Sequence, residues 1–367
     1  MKVLFISNWH EQSGYSEGGR LYIQALDAAG VEVVPRRLNI LGNIAEIPER
    51  ILELESQSDK DCDYCIQYTV PSLMAYSGDF KKCIGLFAWE TTVLPSNWRN
   101  KLSSMDEVWV INQDMLDLRS GLNNPWVNIQ HPIDLSKSHR SYYKLDIPPL
   151  KDKFIFYFIG EFNRRKNLQT LLKAYYTYFT RNDNVGLLIK SNIPGQSPEV
   201  AAQHITNMCN EIKRGLKLYP NIEHYPPEVI ITDRLSDDDM CRLHTTGDVY
   251  VAPSHGEAWN ISCADAMNFG KPCLLSCQGG HSEMLRDSIM CIEGDVEPVF
   301  GAMESPQDLY NANEGWLEIS VDQLGNHMQL LYHNENRYAI ESRLVQAQAQ
   351  KFSFSTIGNK MKEALCR

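Results

Sequence analysis

Short runs of β-forming residues alternate with helical patterns along the whole chain, and this alternation constrains the fold more than any other feature. Five runs lie in the first part of the chain, KVLFIS, VEVVP, YCIQYT, KCIGLF and EVWVIN, and five follow later, FIFYFIG, VGLLIKS, EVIIT, DVYVAPS and PCLLSC. Strands separated by helices pair in parallel, because the helix returns the chain to the same end of the sheet. The sequence therefore predicts an α/β protein with doubly wound parallel sheets.

The length and one interruption of this pattern predict two domains. A chain of 367 residues exceeds what one hydrophobic core usually organises. Between the two sets of strands lies HRSYYKLDIPPLKDK, residues 139–153, which is polar, contains prolines and has no period. We expect two Rossmann-like domains, residues 1–145 and 146–350, that face a central cleft, with a terminal segment at 351–367. Ligands bind such sheets at the carboxyl ends of the strands, so the loops after strands are candidate sites.

Composition and charge exclude several classes of protein. No apolar run approaches the roughly 20 residues that a membrane span needs, and MKVLFISNWHEQ turns polar too soon for a secretory leader. We therefore expect a cytoplasmic protein without a membrane span. The net charge of -11 argues against broad binding to nucleic acid or acidic lipid, which requires a positive surface.

The cysteines of the sequence do not indicate a metal site. Most of the ten cysteines lie in apolar runs, where a reduced thiol behaves as a small hydrophobe; examples are Cys83, Cys241, Cys263, Cys273 and Cys291. Cys62 and Cys65 form one CxxC pair, but no second pair of ligands has zinc spacing.

Two acidic motifs, DKDCD and LSDDDM, also do not indicate a metal or ligand site. DKDCD, which begins at Asp59, precedes its strand, whereas a metal-binding Asp-x-Asp motif should follow one. We therefore expect no metal and no ligand at Asp59. The acids of LSDDDM fit the first turn of a helix capped by Ser236, where the helix dipole explains them.

The loop after the first strand, SNWHEQSGYSEGG, leads into an amphipathic helix. Gly14, Gly18 and Gly19 let a backbone approach a ligand closely, and the N-terminus of the following helix favours an anion or sugar hydroxyls. The alternative is a flexible turn before a helix. The spacing is not GxGxxG, and the next strand does not end in an acid, so a nicotinamide-dependent enzyme is disfavoured.

The loop in FIGEFNRRKNLQTLLKAY brings three cations between a strand and a helix. Arg164, Arg165 and Lys166 can neutralise a diphosphate there without a metal. The alternative is a solvated basic turn.

The segment HGEAWNISCADAMNFGKP follows the strand DVYVAPS and contains two acids. Glu257 lies on the loop, Asp265 lies inside a helix, and Gly270 and Pro272 end that helix. The first N–H groups of the helix lie between the acids, at Ala258, Trp259, Asn260 and Ile261. Glu257 can accept sugar hydroxyls, the helix start can take phosphates and Asp265 a ribose diol, so the segment fits a sugar-nucleotide site. The alternative is an ordinary helix with two unrelated acids.

These loops occur together with other segments: AWETTVLPSNW, DEVWVINQ, IQHPID, LHTTGDVYVAPSHGEAWN and FSFSTIGNKMKEAL. In this combination the chain resembles the retaining glycosyltransferases of family 4, which have the GT-B fold. The resemblance covers nearly the whole length, and its most specific part is the E-x7-E type signature that begins at Glu257. It implies that the FSFSTIGNKMKEAL helix crosses back to the N-terminal domain.

The resemblance implies roles for individual residues. The first acid of the signature contacts the donor sugar and the second binds ribose, which are Glu257 and Asp265 here. A basic pair grips the diphosphate, which implies Lys166 with Arg165 or Arg164. Three positions depart from the pattern. Asp265 replaces a Glu and shortens the reach by one methylene, Glu161 stands where an Arg often follows the glycine, and Ala258 replaces a Gly.

The N-terminal domain also departs from the pattern. Many relatives have a His near the reacting sugar after the fourth strand, where this chain has GLFAWETT. Glu90 is therefore a candidate to orient an acceptor hydroxyl or to assist proton transfer, or else a surface acid before a helix. Trp89 and Tyr15 are expected on the acceptor side near Gly14. His131 in IQHPID is more typical of a structural residue than of a catalyst.

Together these features predict a metal-independent, retaining glycosyltransferase with Glu257, Lys166, Arg165 and Glu90 as catalytic residues. It would move a hexose from a UDP- or GDP-sugar, its co-substrate, to a glycan, a lipid-linked sugar or a small molecule, and it needs no other cofactor. Three alternatives stay open: an epimerase of the same fold, a glycosidase and a degenerate sugar-nucleotide-binding protein. A glycosidase requires two opposed carboxylates, which a helix start between the acids fits poorly.

Overall fold

The computed structural model describes residues 1–285, 288–299, 310 and 312–367. The chain divides into two compact units, Met1–Asp134 together with Gln350–Arg367, and Leu135–Ala349. The division falls before the boundary that the sequence suggested near residue 145. The reason is local, since the Leu145 N–H donates to Thr246 Oγ1 and Lys137 contacts Asp265, both inside the second unit.

The first unit contains a parallel sheet of six strands. They are β1 Lys2–Ser7, β2 Glu32–Arg37, β3 Tyr64–Tyr68, β4 Lys82–Phe87, β5 Glu107–Val110 and β6 Trp126–Asn128. Their spatial order is β2-β1-β3-β4-β5-β6. Helices α1 Gly14–Ala28, α2 Glu49–Glu55 and α3 Ser96–Ser103 connect them. Val3 and Phe5 of β1 and Ile84 of β4 have no solvent exposure, so this sheet forms a core of its own.

Helix α1 packs unusually close to the sheet. Ser13 caps its N-terminus by accepting from the Ser16 N–H at 3.1 Å. A Cβ at Gly18 would lie 2.7 Å from the Tyr68 hydroxyl, and one at Gly19 would lie 2.6 Å from Ser7 Oγ. These two glycines therefore allow α1 to pack closely against β1 and β3.

The second unit contains another six-stranded parallel sheet and a two-stranded antiparallel one. The strands are β7 Phe154–Glu161, β8 Val185–Asn192, β9 Glu228–Ile231, β10 Val249–Ala252, β11 Cys273–Ser276, β12 Cys291–Ile292, β13 Gly294–Pro298 and β14 Gly315–Ile319. The parallel sheet has the order β12-β11-β10-β7-β8-β9, and β13 pairs with β14. The helices are α4 Leu168–Tyr178, α5 Pro198–Leu216, α6 Asp237–Thr246, α7 Ile261–Asn268, α8 Gly280–Met284, α9 Val321–His333 and α10 Glu335–Gln350.

All ten strands predicted from the sequence are present, which confirms the α/β fold class. Four further strands, β6, β12, β13 and β14, were not predicted. Strands β6 and β12 have only 3 and 2 residues, which is too short for a period. Every residue of β13 is exposed, so the strand has no apolar alternation to recognise.

The predicted helix ends at two motifs are confirmed. Ser236 Oγ accepts from the Asp239 N–H at 3.1 Å and caps α6, which accounts for the acids of LSDDDM. After α7, Gly270 has φ +67°, and its N–H donates to the Met267 carbonyl while the Lys271 N–H donates to the Ala266 carbonyl. These two bonds make a Schellman motif, which favours glycine at the left-handed position.

The other acidic motif, DKDCD, lies just before β3, as the sequence indicated. Its first acid, Asp59, forms an ion pair with Arg36 of β2, with Oδ2 3.0 Å from the arginine Nε. About half of the Asp59 side chain is exposed, at 51%. Asp59 therefore contributes to the surface of the first unit beside the edge strand β2.

The expectation that the cysteines are reduced core residues is wrong for Cys291. Cys277 and Cys291 form a disulfide, with their Cα atoms 4.8 Å apart. Cys277 directly follows β11, and Cys291 begins its parallel neighbour β12, so the pairing of the strands brings the two together. Cys62, Cys65, Cys83, Cys241, Cys263 and Cys273 are free and buried, as predicted.

The terminal helix α11, Phe354–Cys366, belongs to the first unit and packs on α1. The contact is close because Gly358 has no side chain, and a Cβ there would overlap the carbonyl of Ala25. Lys362 Nζ also donates to the Ala29 carbonyl at 3.0 Å, beside the end of α1.

Gly358→Ala is therefore expected to lower the free energy of unfolding by about 2 kcal/mol, as overpacking against a backbone atom does. Urea denaturation of the two proteins measures this difference. Gly215→Ala is the matched control, because a Cβ on Gly215 in α5 meets no atom within 4 Å. That control should be neutral or slightly stabilising, and equal stability of G358A and the parent protein would contradict the packing described.

Candidate active site

The strand order of the second unit marks one edge of its sheet as a ligand site. Numbered within the unit, β12-β11-β10-β7-β8-β9 is the doubly wound order 6-5-4-1-2-3, which reverses direction between β7 and β10. In such sheets ligands bind beyond the carboxyl ends of the strands at this reversal. The loop after β7 contains the three predicted cations, and the loop after β10 contains Glu257.

Two asparagines shape the loop after β7. Asn163 Oδ1 accepts from the Lys166 N–H at 3.0 Å, which closes the turn Arg164–Lys166. Asn167 follows in the left-handed conformation with φ +52° and caps α4 by accepting from the Thr170 N–H. Asparagine tolerates that conformation better than most residues, so this sequence fixes the direction of the cations before any ligand binds.

The turn delivers two cations to the carboxylate of Glu257. Lys166 Nζ lies 2.5 Å from Glu257 Oε1, and Arg165 Nη1 lies 3.1 Å from Oε2. Arg165 also donates to the Gly256 carbonyl at 2.8 Å. The Glu257 side chain is 5% exposed, and those of both cations are 15% exposed. The structure thus brings together three residues that the sequence predicted to act together.

The electrostatics of this cluster keep Glu257 ionised. Burial by itself raises the pKa of the Glu257 carboxyl, but the adjacent Lys166 and Arg165 lower it by more, so the pKa lies far below the ordinary range. The carboxylate is therefore an acceptor of hydrogen bonds and not an acid at neutral pH.

Unlike Arg165 and Lys166, Arg164 contacts Val299 and Trp316. Its Nη1 donates to the Val299 carbonyl at 3.0 Å, and its guanidinium lies 5.0 Å from the ring centroid of Trp316. Trp316 also stacks on His255 with a centroid distance of 4.5 Å. Of the two arginines considered as the second cation, Arg165 is the one that contacts Glu257.

The start of α7 follows Glu257 directly. Asn260 has φ +87° and caps the helix, with Oδ1 accepting from the Cys263 N–H at 3.0 Å. Ala258 and Trp259 are buried, at 5% and 2% exposure. Ile261 is half-buried at the first turn. The side chains of Ala258 and Trp259 are therefore part of the packed interior beside this loop.

Asp265 lies one turn into α7 and contacts a lysine that the sequence did not single out. Lys137 Nζ lies 2.9 Å from Asp265 Oδ2, and both side chains are partly exposed. Ser138 Oγ donates to Asn268 Oδ1 at 2.8 Å, which ties the same segment to α7 a second time. Both acids of the predicted signature therefore have cationic partners, and these partners are different.

The first unit has its own strand reversal, between β1 and β3. Beyond these strands, Tyr15 stacks on Tyr68 with a centroid distance of 4.9 Å, and the Ala88 N–H donates to the Tyr15 hydroxyl at 2.8 Å. Burial raises the pKa of Tyr15, and the charge of nearby Glu90 raises it further. Gly14 is exposed, and a Cβ on it would meet no atom within 4 Å.

The other predicted residues of this unit differ in exposure. Trp89 is 3% exposed, donates through Nε1 to the Val93 carbonyl at 2.8 Å and packs on Trp98. Glu90 is half-buried. His131 is buried, with Nε2 3.1 Å from the Tyr68 hydroxyl, and burial lowers its pKa to about 3. The position of His131 agrees with the structural role expected for it.

Several contributors to the site were not found from the sequence. Lys137 lies in a polar connection and has no motif, and Asn163 and Asn167 were noted only as part of the GEFNRRKN segment. Asparagines that flank a run of cations before a helix are a recognisable capping signal. The contact of Lys137 with Asp265, across 128 positions, has no local signal.

The next two features concern metal binding and membrane insertion. Within residues 1–285, 288–299, 310 and 312–367, no three His, Cys, Asp or Glu side chains cluster as metal ligands would. In the same part of the chain, no helix is both long and apolar enough to cross a bilayer.

The segment that contains Lys166, Glu257 and Asp265 is similar to a known protein family. Residues 144–297 match the family of glycosyl transferases group 1. The chain is also 23% identical over 166 residues to an uncharacterized glycosyltransferase, MJ1607, of Methanocaldococcus jannaschii. That match covers 45% of this chain and 37% of the relative, so the chain spans well under half the length of this curated relative in the alignment.

Solved structures extend the likeness over the whole chain. A sucrose-phosphate synthase from Thermosynechococcus elongatus superposes with a TM-score of 0.67 at 14% identity, covering 100% of this chain and 98% of that one. The Anabaena protein HepE, in complex with UDP and glucose, superposes with a TM-score of 0.64 at 14% identity, covering 100% and 99%. The chain therefore has the GT-B fold, and residues 144–297 resemble glycosyl transferases group 1, which agrees with the glycosyltransferase resemblance seen in the sequence.

Proposed function

We propose that this protein is a retaining glycosyltransferase that moves a hexose from a nucleotide sugar to a hydroxyl acceptor without a metal ion. The observation that carries the proposal is the contact of Lys166 and Arg165 with Glu257 at the strand reversal of the second unit. Beside it lies the N-terminus of α7, whose first N–H groups favour an anion. Two cations and a helix start are what a diphosphate requires.

In the proposed mechanism, Lys166 and Arg165 exchange one anionic partner, the Glu257 carboxylate, for another, the donor diphosphate. In the structure the Glu257 carboxylate accepts from Lys166 and Arg165, and the donor diphosphate would take over these N–H donors. The Glu257 carboxylate would then accept hydrogen bonds from hydroxyls of the donor sugar. As the sugar–phosphate bond breaks, negative charge grows on the leaving diphosphate, and cations fixed in advance stabilise it. Asp265 would accept from the ribose diol.

The matched family and the solved relatives support this choice of substrate class. HepE was solved with UDP and glucose, so we propose a UDP-sugar as the first donor to test and a GDP-sugar as the second. We propose no cofactor beyond the nucleotide sugar. Retention of configuration is proposed from the resemblance to family 4, and the stereochemistry of the product tests it.

We propose that the acceptor binds the first unit at the end of β1 and β4. Tyr15, exposed Gly14 and half-buried Glu90 lie there, and Glu90 would orient the acceptor hydroxyl. Buried Trp89 would shape this region from within. The acceptor class is a glycan, a lipid-linked sugar or a small molecule, and the charge of -11 disfavours nucleic acid.

The alternative functions make different predictions. A glycosidase needs one carboxylic acid with a raised pKa, and the lowered pKa of Glu257 excludes this residue from that role. An epimerase would convert the donor when no acceptor is present, and a degenerate binding protein would bind the donor without turnover. Analysis of the products from donor alone and from donor with acceptor separates these cases.

A thermal-shift screen of UDP-, GDP- and ADP-sugars with EDTA present tests the proposal. A ligand at 100 times its Kd stabilises the native state by about 2.7 kcal/mol, which corresponds to a rise in Tm on the order of 5 °C. We expect one nucleotide class to produce such a shift and the parent nucleosides to produce much less. If no nucleotide sugar shifts Tm, the proposed donor site is wrong.

A further inference from the structure

A buried histidine lies behind the start of α7. His281, on α8, has no solvent exposure, and its Nε2 lies 2.9 Å from Asn260 Nδ2. The other ring nitrogen, Nδ1, lies 3.2 Å from the carbonyl oxygen of Ser276. A carbonyl only accepts, so Nδ1 carries the proton and donates to it, and Nε2 is left as an acceptor for the Asn260 amide. Burial lowers the pKa of His281 to about 4, so the ring is neutral at physiological pH.

The protonation of His281 determines the orientation of the Asn260 side chain. With Nδ2 donating to the histidine, Oδ1 accepts from the Cys263 N–H at 3.0 Å and from the Tyr250 hydroxyl at 3.2 Å. Turning the amide over would place its oxygen against the lone pair of Nε2 and its NH₂ against the Cys263 N–H. Both contacts would then be repulsive. Only one orientation of Asn260 is compatible with this ring.

Asn260 needs this support because its backbone conformation is uncommon. Its φ of +87° costs energy for any residue with a side chain. The same conformation turns the chain from the Glu257 loop into α7, and the side chain then caps that helix. Losing the fixed cap would therefore change both the loop and the direction of the first N–H groups.

The residue before His281 holds the other side of the same loop. The Gly280 N–H donates to the Glu257 carbonyl at 3.0 Å. A Cβ on Gly280 would lie 2.5 Å from Trp259 Cα and 2.6 Å from the Ala258 carbonyl oxygen, so α8 approaches the loop as closely as backbone allows. Gly280 and His281 thus contact the loop at Glu257, Ala258 and Trp259 and the cap residue Asn260.

We propose that His281 is a positioning residue for donor binding, which acts through Asn260 to fix the Glu257 loop and the start of α7. The proposal rests on the proposed function, since it assumes that this loop binds the donor. Displacing such a loop by about 1 Å is enough to lower turnover by about 100-fold.

Two polar substitutions of similar kind separate positioning from packing. The amide of His281→Gln reaches the place of Nε2 and can still accept from Asn260, whereas the amide of His281→Asn reaches only the place of Nδ1. We expect H281N to lower kcat/KM about 30-fold, mainly through a higher donor KM, and H281Q to restore most of that loss. His244→Asn is the matched control for the loss of ring volume, because His244 is also buried and Asn keeps the place of the Nδ1 that lies 3.0 Å from the Tyr157 hydroxyl.

A double-mutant cycle with Asn260→Gly tests the route of the effect. Glycine adopts a positive φ without strain, so the N260G protein no longer depends on the histidine. In the N260G background, H281N should change kcat/KM by less than about 3-fold, which is a coupling that neighbours in one network show. H244N should lower Tm and leave kcat/KM within about 3-fold in either background.

Each other result overturns a definite part of the account. If the parent protein neither binds nor turns over any nucleotide sugar, the proposed function fails. If the parent is active and H281N lowers kcat/KM equally in both backgrounds, or H281Q is as impaired as H281N, positioning through Asn260 is wrong. The same conclusion holds if H281N alone fails to fold while H281Q and H244N fold, because His281 would then be needed for packing only.

Discussion

Replacing Lys166 by Ala is expected to lower turnover by about 100- to 1,000-fold, the loss seen when one preorganised donor to a developing oxyanion is removed. Lys166 Nζ lies 2.5 Å from Glu257 Oε1, but Arg165 contacts the same carboxylate, so Glu257 keeps a cationic partner in K166A. Stability should therefore change much less than activity. Steady-state kinetics with the best donor, together with Tm, measure both quantities.

Two neighbouring cations provide the controls for this prediction. Arg164→Ala removes a side chain that contacts Val299 and Trp316, so it should lower Tm while kcat stays within about 10-fold of the parent. Lys173→Ala, further along α4, should change neither quantity appreciably. If K166A retains full transfer activity, or if R164A loses as much activity as K166A, the assignment of the diphosphate to Lys166 is wrong.

Glu257→Gln is expected to abolish most transfer and to destabilise the second unit at neutral pH. Gln keeps the shape but leaves two cations without their charge partner. Breaking a fully buried pair costs about 3–5 kcal/mol. With both cations 15% exposed, we expect about 2 kcal/mol. Because the carboxylate would also hold the donor sugar, kcat/KM should fall by at least about 100-fold.

The pH dependence of this variant has a definite sign. The folded-state pKa of Glu257 lies well below its unfolded value of 4.5, so its charge stabilises the protein above that value and this contribution is lost as the pH falls below it. The stability difference between the parent and E257Q should be largest at neutral pH and should shrink below about pH 4.5. Urea titrations at several pH values measure it.

Glu107→Gln is the matched control for E257Q. Glu107 is also buried and also contacts a lysine, Lys82, at 3.0 Å, but it lies in β5 of the first unit. E107Q should lose stability and keep its donor KM. An E257Q protein with the donor KM and kcat of the parent would show that Glu257 only holds the two cations in place.

The fold could be predicted because its signals are local. Ten β-forming runs separated by helical patterns define a parallel α/β protein, and Ser236 and Gly270 each mark a helix end through bonds to residues within four positions. The three cations and Glu257 could be named for a related reason. They lie in loops directly after predicted strands, and parallel strands bring such loops to one edge of a sheet.

The parts that were missed depend on contacts between distant segments. Lys137 meets Asp265 across 128 positions, and neither residue has a pattern that indicates the other. The Cys277–Cys291 disulfide depends on the pairing of β11 with the two-residue strand β12, which has no recognisable period. His281 follows two glycines at the start of α8, and nothing in the sequence indicates that it contacts Asn260, whose φ is +87°.

The role of the glycines after β1 changed for a similar reason. A glycine-rich loop after a first strand indicates a ligand site when it is read alone. In the structure Gly18 and Gly19 are needed because Tyr68, on another strand, and Ser7 lie against the helix. Gly14 is exposed and has no such contact, so the structure gives no packing reason for a glycine there.

The most direct test of the proposed diphosphate site at Lys166 is a calorimetric titration of the parent protein and K166A with UDP, GDP and ADP. Each nucleotide is compared with its parent nucleoside. We expect one nucleoside diphosphate to bind the parent protein much more tightly than its nucleoside. We expect K166A to weaken this binding by about 10-fold or more, the value of one charge-assisted hydrogen bond. Equal affinity for the diphosphate and the nucleoside, or an unchanged Kd in K166A, would contradict the proposed site.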